Sequence, residues 1–350
     1  MRIIPIMILF SLSMAQSLDP IDIKKNELRT TLDNASRNGQ RVLIEDFTGA
    51  HYCPYCGYGS FAVSDLLDEY PGTLTSLQYH LGAYTDPYSD LDDCYYQGQT
   101  CFDARGIPYG WNSTITGVPF EVFNGDEVIV GASSEESGYY QYSGVYNELV
   151  SNETPYEISI GGVRDDLDVN YNITVSLDGS PAIPDNKQLH IFVVEDNIMT
   201  SWFVWEWMDH NSRNVVREWL GPQDISIASE GETQTFTGSF TIEEGAWDPD
   251  SVKIVALVQD SSDHTIHQVQ ESNVNDLCDD MVFIPGNIDG SLNTDETISV
   301  DIFDVLTLAD IVEFDITGTC GQQVSDLTGD GIINLLDIIT LATLISQGDV

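Results

Sequence analysis

The chain has 350 residues, enough for two or three domains of ordinary size. Its 57 acidic residues against 12 basic ones give a net charge of −45, spread along the whole length rather than gathered in a tail. Such a surface repels nucleic-acid phosphates and anionic lipid, so neither is expected as a partner, and salt or divalent cations would screen its self-repulsion.

Arg2 is the first charge, an apolar run follows from Ile3 to Leu12, and Ser13-Met14-Ala15 supplies small residues ahead of Gln16. This pattern predicts a cleaved export signal over residues 1–15. The run is shorter than the ~20 apolar residues a membrane helix needs, and no later segment approaches that length, so no membrane span is expected. The remaining chain is expected to be secreted, at the cell surface or in the periplasm. Six cysteines, an even number, suit an oxidising compartment. Nearness in sequence pairs them as Cys53 with Cys56, Cys94 with Cys101, and Cys278 with Cys320.

Residues 19–150 read as mixed α/β. Arg41 to Phe47 predicts a buried strand, and Phe61, Val63, Leu66, Leu67 and Tyr70 mark one apolar helix face before Pro71-Gly72. A strand is expected from Leu77 to His80, a hairpin from Phe120–Phe123 and Glu127–Val130 around Asn124-Gly125, and a helix from Tyr139 to Val150. Residues 155–273 change character. Tyr156–Ile160, Tyr171–Leu177 and Thr235–Ile242 alternate, and Leu189–Val194 and Val252–Val258 are apolar enough for central strands, which together predict an antiparallel β-sandwich. The stretch Trp202-Phe203-Val204-Trp205-Glu206-Trp207 is unusually aromatic; it reads either as an exposed ligand platform or as part of a core or interface. Over residues 285–350, Asp304–Val312 realigns on Asp337–Ile345 with a shift of 33 residues, giving two amphipathic helices, each behind an oxygen-rich loop. The expected fold class is therefore multi-domain: an α/β domain, an antiparallel sandwich and a small α-helical module.

Cys53-Pro54-Tyr55-Cys56 sits where a strand delivers the chain to a helix. Two thiols at this spacing can close a disulfide, and a helix N-terminus stabilises the thiolate of the first. Pro54 suits the first helical turn. Cys53 is the expected exposed nucleophile, Cys56 the resolving thiol, and Pro119 in Thr116-Gly117-Val118-Pro119 the residue facing the sulfurs. A structural disulfide and half of a metal site are the other readings, but no second CxxC or His pair completes a zinc tetrahedron.

Val42 to Cys56, with Gly117 to Gly125, resembles thioredoxin-superfamily proteins. More narrowly, residues 20–270 look like the exported bacterial family of twenty-eight-kilodalton outer-membrane proteins, in which a thioredoxin-like domain precedes a β domain. The resemblance implies a thioredoxin fold over residues 19–150, with a cis peptide before Pro119. Tyr52 departs from it, standing where thioredoxins usually carry Trp.

In the C-terminal repeat, Asp326, Thr328, Asp330, Asn334 and Asp337 place side-chain oxygens at loop positions 1, 3, 5, 9 and 12, with Gly331 at the sharp turn and the Ile332 carbonyl at position 7. Calcium needs such an oxygen set. The earlier copy aligns as Asn293, Asp295, Thr297, Ser299 by its carbonyl, Asp301 and Asp304, but carries Ile298 where the turn glycine belongs. The two loop–helix repeats resemble a type I dockerin, a family that binds calcium and docks onto cohesin domains. Two functions fit the whole. One is an exported thiol–disulfide oxidoreductase acting on protein thiols or disulfides and docked through a calcium module to a cohesin-like partner. The other is a non-catalytic surface-binding or structural protein on a thioredoxin-like scaffold.

Overall fold

The computed structural model describes residues 39–49, 52–82, 91, 94–178, 186–278, 285–292, 298–314, 320, 324–328 and 332–347. The expected export signal lies outside them. Strand β1 (Val42–Thr48) is buried along its whole length and leads into helix α1 (Pro54–Glu69), after which β2 (Leu74–His80) returns parallel to β1. A short hairpin, β3 (Tyr95–Tyr96) and β4 (Gln99–Thr100), precedes helix α2 (Cys101–Gly106). Strands β5 (Phe120–Phe123) and β6 (Glu127–Val130) form the expected hairpin. Its turn residues Asn124 and Gly125 both have positive φ, as such turns require, and a Cβ on Gly125 would run into the carbonyl oxygen of His264. Helix α3 (Glu135–Leu149) starts four residues earlier than its apolar pattern because Ser134 caps it, its Oγ accepting from the Ser137 N–H at 3.1 Å.

The rest is largely strand: β7 (Tyr156–Asp165), β8 (Asp168–Leu177), β9 (Lys187–Glu195), β10 (Ile198–Phe203), β11 (Trp207–Ser212), β12 (Val215–Asp224), β13 (Thr233–Thr241), β14 (Val252–Asp260) and β15 (Ile266–Asn273). Helices α4 (Ile302–Phe314) and α5 (Leu335–Gln347) follow, packed through Leu308, Ile311 and Leu341 with Ile288. No helix among the described residues is long and apolar enough to cross a membrane.

The architecture is mixed α/β around one large mixed sheet of eight strands, in the order β15-β14-β9-β12-β2-β1-β5-β6. An α/β unit and a separate sandwich were expected on either side of residues 150–155; the large sheet draws strands from both. The seam is the parallel contact of β12 with β2, where Val215 lies beside Gln78 and the Gln78 N–H donates to the Asn214 carbonyl at 3.0 Å. The seam covers an edge of β2 that would otherwise offer unpaired backbone groups. A three-stranded sheet, β13-β8-β7, packs on the β9/β14 half and completes the sandwich with Ile173, Val175, Ile191 and Ile254 between the layers.

Alternation along β1 divides the remaining core. Leu43 and Phe47 face α2 and the aromatic cluster of Phe102, Trp111 and Phe120, whereas Val42 and Ile44 face α1 and α3. On the first face Glu45, fully buried, holds Arg105 in a two-pronged pair at 2.9 Å for each bond; Arg105 also donates to Gln259 at 2.8 Å, and the Tyr109 hydroxyl donates to Glu45. This network ties β1, α2 and β14 together. Removing one partner strands the other charge in the core, so Arg105→Met should cost about 3–5 kcal/mol in urea denaturation. The double change Glu45→Leu with Arg105→Met should recover most of that loss.

Candidate functional site

The path from β1 to α1 sets the site. Tyr52 turns the chain with a φ of +58°, Cys53 caps α1, Pro54 occupies its first turn, and the Cys56 N–H donates to the Cys53 carbonyl at 3.1 Å. Cys53 and Cys56 are joined as a disulfide with their Cα atoms 5.3 Å apart. The other two bonds, Cys94–Cys101 and Cys278–Cys320, also follow the pairing by nearness. Cys94–Cys101 belongs to the core on the α2 face of the sheet, away from α1. The Val118–Pro119 peptide bond is cis, and the Val118 carbonyl oxygen lies 3.8 Å from the Cys53 sulfur.

Cys53 is only 7% exposed, which corrects the expectation of an exposed nucleophile. The β10–β11 hairpin covers the sulfurs. Trp202 and Val204 pack with Phe61 on Cys53 and Cys56, and the Trp202 indole N–H is held by the His210 carbonyl at 3.2 Å. Gly57 leaves room for this cover, because a Cβ there would strike the Val204 side chain. The aromatic stretch therefore divides between core and surface. Trp202 is fully buried on the disulfide, while Trp205 and Trp207 are 65% and 50% exposed beside it. Tyr52 faces Phe203 and Trp207 at 6.5 and 6.2 Å, and Tyr55 faces Trp205 at 6.0 Å, so a rim of rings surrounds the sulfurs.

Between α1 and the sheet lies a polar group that sequence reasoning missed. Ser60, one turn after Cys56 on α1, donates to Asp46 at 2.8 Å, and its oxygen lies 3.0 Å from the Thr48 hydroxyl. The Gln78 amide donates to the same Asp46 oxygen at 2.9 Å, and Gln78 Oε1 meets His80 Nε2 at 2.8 Å. Burial raises the Asp46 carboxyl to about 6 against the bonds from Gln78 and Ser60. Burial, then the charge of Arg217, lowers His80 to about 3 and leaves it neutral. The available signal was an acid in an apolar strand, at the position of β1 that alternation turns toward α1. A disulfide at the start of a helix, with a buried carboxyl under that helix, is an arrangement capable of thiol–disulfide exchange.

In the C-terminal segment, Asn293, Asp295, Thr297 and Asp330 lie outside the described residues. Thr328 Oγ1 donates to Asp326 at 3.3 Å and to Asp337 at 3.0 Å, the Asn334 N–H donates to Asp337 at 2.8 Å, and the Asn334 amide donates to the Ile332 carbonyl at 2.9 Å. These oxygens converge on one loop, a donor set that suits calcium. In the first loop, the Ser299 hydroxyl meets Asp301 at 3.2 Å, and Asp304 accepts from Asp301 N–H at 2.7 Å. Its other oxygen accepts from the N–H groups of Ile288 and Asp289 at 2.7 and 3.0 Å. Asp337 likewise accepts from the Thr328 N–H at 3.0 Å. Among the described residues, no three His, Cys, Asp or Glu side chains gather as a metal group.

No family model matches the chain, and no curated protein matches it. Among solved structures it is similar to HBP35 of Porphyromonas gingivalis, at 16% identity and a TM-score of 0.48 over 69% of this chain and 77% of that one. It is also similar to a domain of the outer membrane lipoprotein Omp28 from the same organism, at 10% identity and a TM-score of 0.22 over 35% of this chain and 88% of that one. A β-glucosidase from Kluyveromyces marxianus follows at 17% identity and a TM-score of 0.21, over 40% of this chain and 17% of that one. At these scores none of the three bears on what the chain does.

The raised Asp46 carboxyl has a consequence for stability. The folded chain keeps its proton to about pH 6, whereas the unfolded chain releases it near pH 4, so this group lowers stability as pH rises between those values. Asp46→Asn should therefore flatten the pH dependence of the urea midpoint across that window and stabilise the chain at pH 7 by on the order of 2–3 kcal/mol.

Proposed function

We propose that the chain is an exported thiol–disulfide oxidoreductase that exchanges disulfides with cysteine-bearing polypeptides through Cys53 and Cys56. The observation that carries this reading is the Cys53–Cys56 disulfide at the start of α1, set against Val118–Pro119 and above a buried carboxyl. A substrate thiolate attacks Cys53, the new S–S bond forms, and the Cys53–Cys56 bond breaks with its electron pair leaving on Cys56. Asp46, bonded to Ser60 one turn after Cys56, is the proposed proton donor to that thiolate. A second substrate thiolate then attacks the mixed disulfide and frees Cys53. Any incoming sulfur has to pass Tyr52, Tyr55, Trp205 and Trp207, whose exposed rings favour an unfolded, apolar segment over a compact surface. The 7% exposure of Cys53 favours the second reading, a non-catalytic binding protein on a thioredoxin-like scaffold.

Residues 19–150 would be the thioredoxin-like unit, 155–273 the sandwich and 285–350 a dockerin-like calcium module. Ile302, Phe303 and Leu306 of α4 are exposed, and so are Leu335, Leu336 and Ile339 of α5, the residues 33 positions on in each case. The same apolar face presented twice suits a docking partner of the cohesin kind.

The redox reading is tested by insulin reduction and by trapping. Cys53→Ser should abolish exchange, and Cys56→Ser should accumulate mixed disulfides with unfolded, cysteine-bearing protein. Wild-type protein that neither reduces insulin nor oxidises a dithiol peptide would leave the scaffold reading standing.

Calcium is tested separately by heat denaturation of the full chain in calcium and in chelator. Binding should raise the melting temperature of the C-terminal transition with the logarithm of calcium concentration. Asp326→Ala and Asp337→Ala should each remove most of that rise, and identical curves in calcium and chelator would refute the module.

A further inference from the structure

Glu121, buried in the site region, has no task in the exchange chemistry above. It lies on β5 directly opposite Asp46 of β1 in the antiparallel register, so the two side chains leave the sheet on the same face, under α1. Both are fully buried. Partners opposed in this way have Cα atoms about 5 Å apart, and like charges directly opposite each other repel. Glu121 also reaches up to the active-site helix. One of its oxygens lies 2.6 Å from where a Cβ on Gly59 would stand, with Pro119 Cγ 3.3 Å from that same point. The carboxyl therefore sits between the helix that carries the cysteines and the proline that faces them.

The neighbours supply no cation. From α1 the pair meets the Ser60 hydroxyl, one turn beyond Cys56; from β2 it meets Gln78 and, through it, neutral His80. From α3 it faces the Tyr142 hydroxyl. No ion pair reaches Asp46 or Glu121 among the described residues. Neither Glu121 oxygen has a hydrogen-bond partner of good geometry, and the Asp46 oxygen not used by Ser60 and Gln78 lacks one as well. Two ionised carboxylates in this setting would combine desolvation with mutual repulsion, and a shared proton relieves both. Burial, and then the Asp46 charge, accordingly push the Glu121 carboxyl well above the usual carboxylate range.

We propose that Glu121 is a positioning residue for disulfide exchange, forming with Asp46 a carboxyl pair that holds one proton in reserve for the Cys56 thiolate. This rests on the oxidoreductase reading of the same site. In the step itself, the attacking thiolate bonds to Cys53 and the Cys53–Cys56 bond breaks. The electron pair goes to Cys56, and the proton passes from the pair through Asp46 and Ser60 to the new thiolate. The pair is left with one more negative charge and Cys56 as a thiol. The reverse passage returns the proton when Cys56 attacks a mixed disulfide. Two acids are needed because a lone Asp46, bonded by Ser60 and Gln78, has given up most of its proton by pH 7, where an exported protein has to work.

The test uses the full chain with dithiothreitol as the reductant, so that no protein substrate is involved. Infrared spectra of the oxidised wild type at pH 7 should contain the C=O stretch of a buried protonated carboxyl, and Glu121→Gln, which keeps the shape, should remove it. The rate of Cys53–Cys56 reduction in Glu121→Gln should match wild type near pH 5 and fall to about one tenth of it at pH 7, a shift of about one pH unit in the proton available to Cys56. A structural disturbance would instead lower the rate by one factor at every pH. A wild-type spectrum without the protonated band at pH 7 overturns the proposal with no variant needed, and so does a rate ratio that is constant with pH. The two readings fail separately. A chain inert toward insulin that still shows the pH-dependent ratio keeps the carboxyl pair and loses the oxidoreductase function, whereas an active chain with a constant ratio loses the pair alone.

Discussion

The hydrogen bond from Gln78 to Asn214 fixes more of this molecule than its single 3.0 Å contact suggests. Asn214 opens β12 and directly follows the β10–β11 hairpin, so seating β12 against β2 also sets where the hairpin falls. Arg213, the residue before it, makes the placement rigid: its guanidinium reaches Asp196 and Asp68 at 2.8 Å each, and Ser64 at 3.3 Å. Two of those partners lie on α1, the helix that begins at Cys53. The corner therefore clamps the hairpin to the cysteine-bearing helix, and Trp202 reaches the sulfurs as a result. Gln78 takes part twice, its backbone holding the seam and its side chain holding Asp46.

The local parts of this arrangement were legible in the sequence. Residues that act within a few positions of one another carry their own signals: the CxxC at a strand–helix junction, Asn124-Gly125 between two apolar runs, the cysteine pairs and the repeat over 285–350. The long-range parts carried none. No periodicity announces that β12 will pair with β2 across more than a hundred residues of chain, so the sheet read as two separate units. Burial of Cys53 was hidden for the same reason, because the covering Trp202 comes from the other side of the seam. The aromatic stretch was conspicuous, but alternation alone cannot say which ring points in. Ahead of α4, the backbone bonds to Asp304 come from Ile288 and Asp289, which no repeat shift announces.

Acidic residues illustrate how composition hides function. With 57 of them in the chain, the three in apolar strands look like noise. What distinguishes Glu45, Asp46 and Glu121 is the face each occupies. Glu45 points to the α2 side and meets Arg105 in a two-pronged hydrogen-bonded ion pair. One residue on, Asp46 points to the α1 side, where no ion pair reaches it among the described residues and the opposite strand offers Glu121. Two adjacent acids thus differ in role because a strand reverses its side chains at every step.

Under the proposed exchange chemistry, the hairpin that covers the disulfide calls for internal protonation. A cystine open to water could release Cys56 as a thiolate and take a proton from solvent. Here Trp202, Val204 and Phe61 enclose the sulfurs, and Cys56 has no exposed surface at all. A thiolate formed under that cover would be an isolated buried charge, which a low-dielectric setting penalises heavily. Under that proposal the apolar roof over Cys53 calls for a proton donor on the sheet side of α1, where the buried carboxyls of Asp46 and Glu121 lie opposite each other.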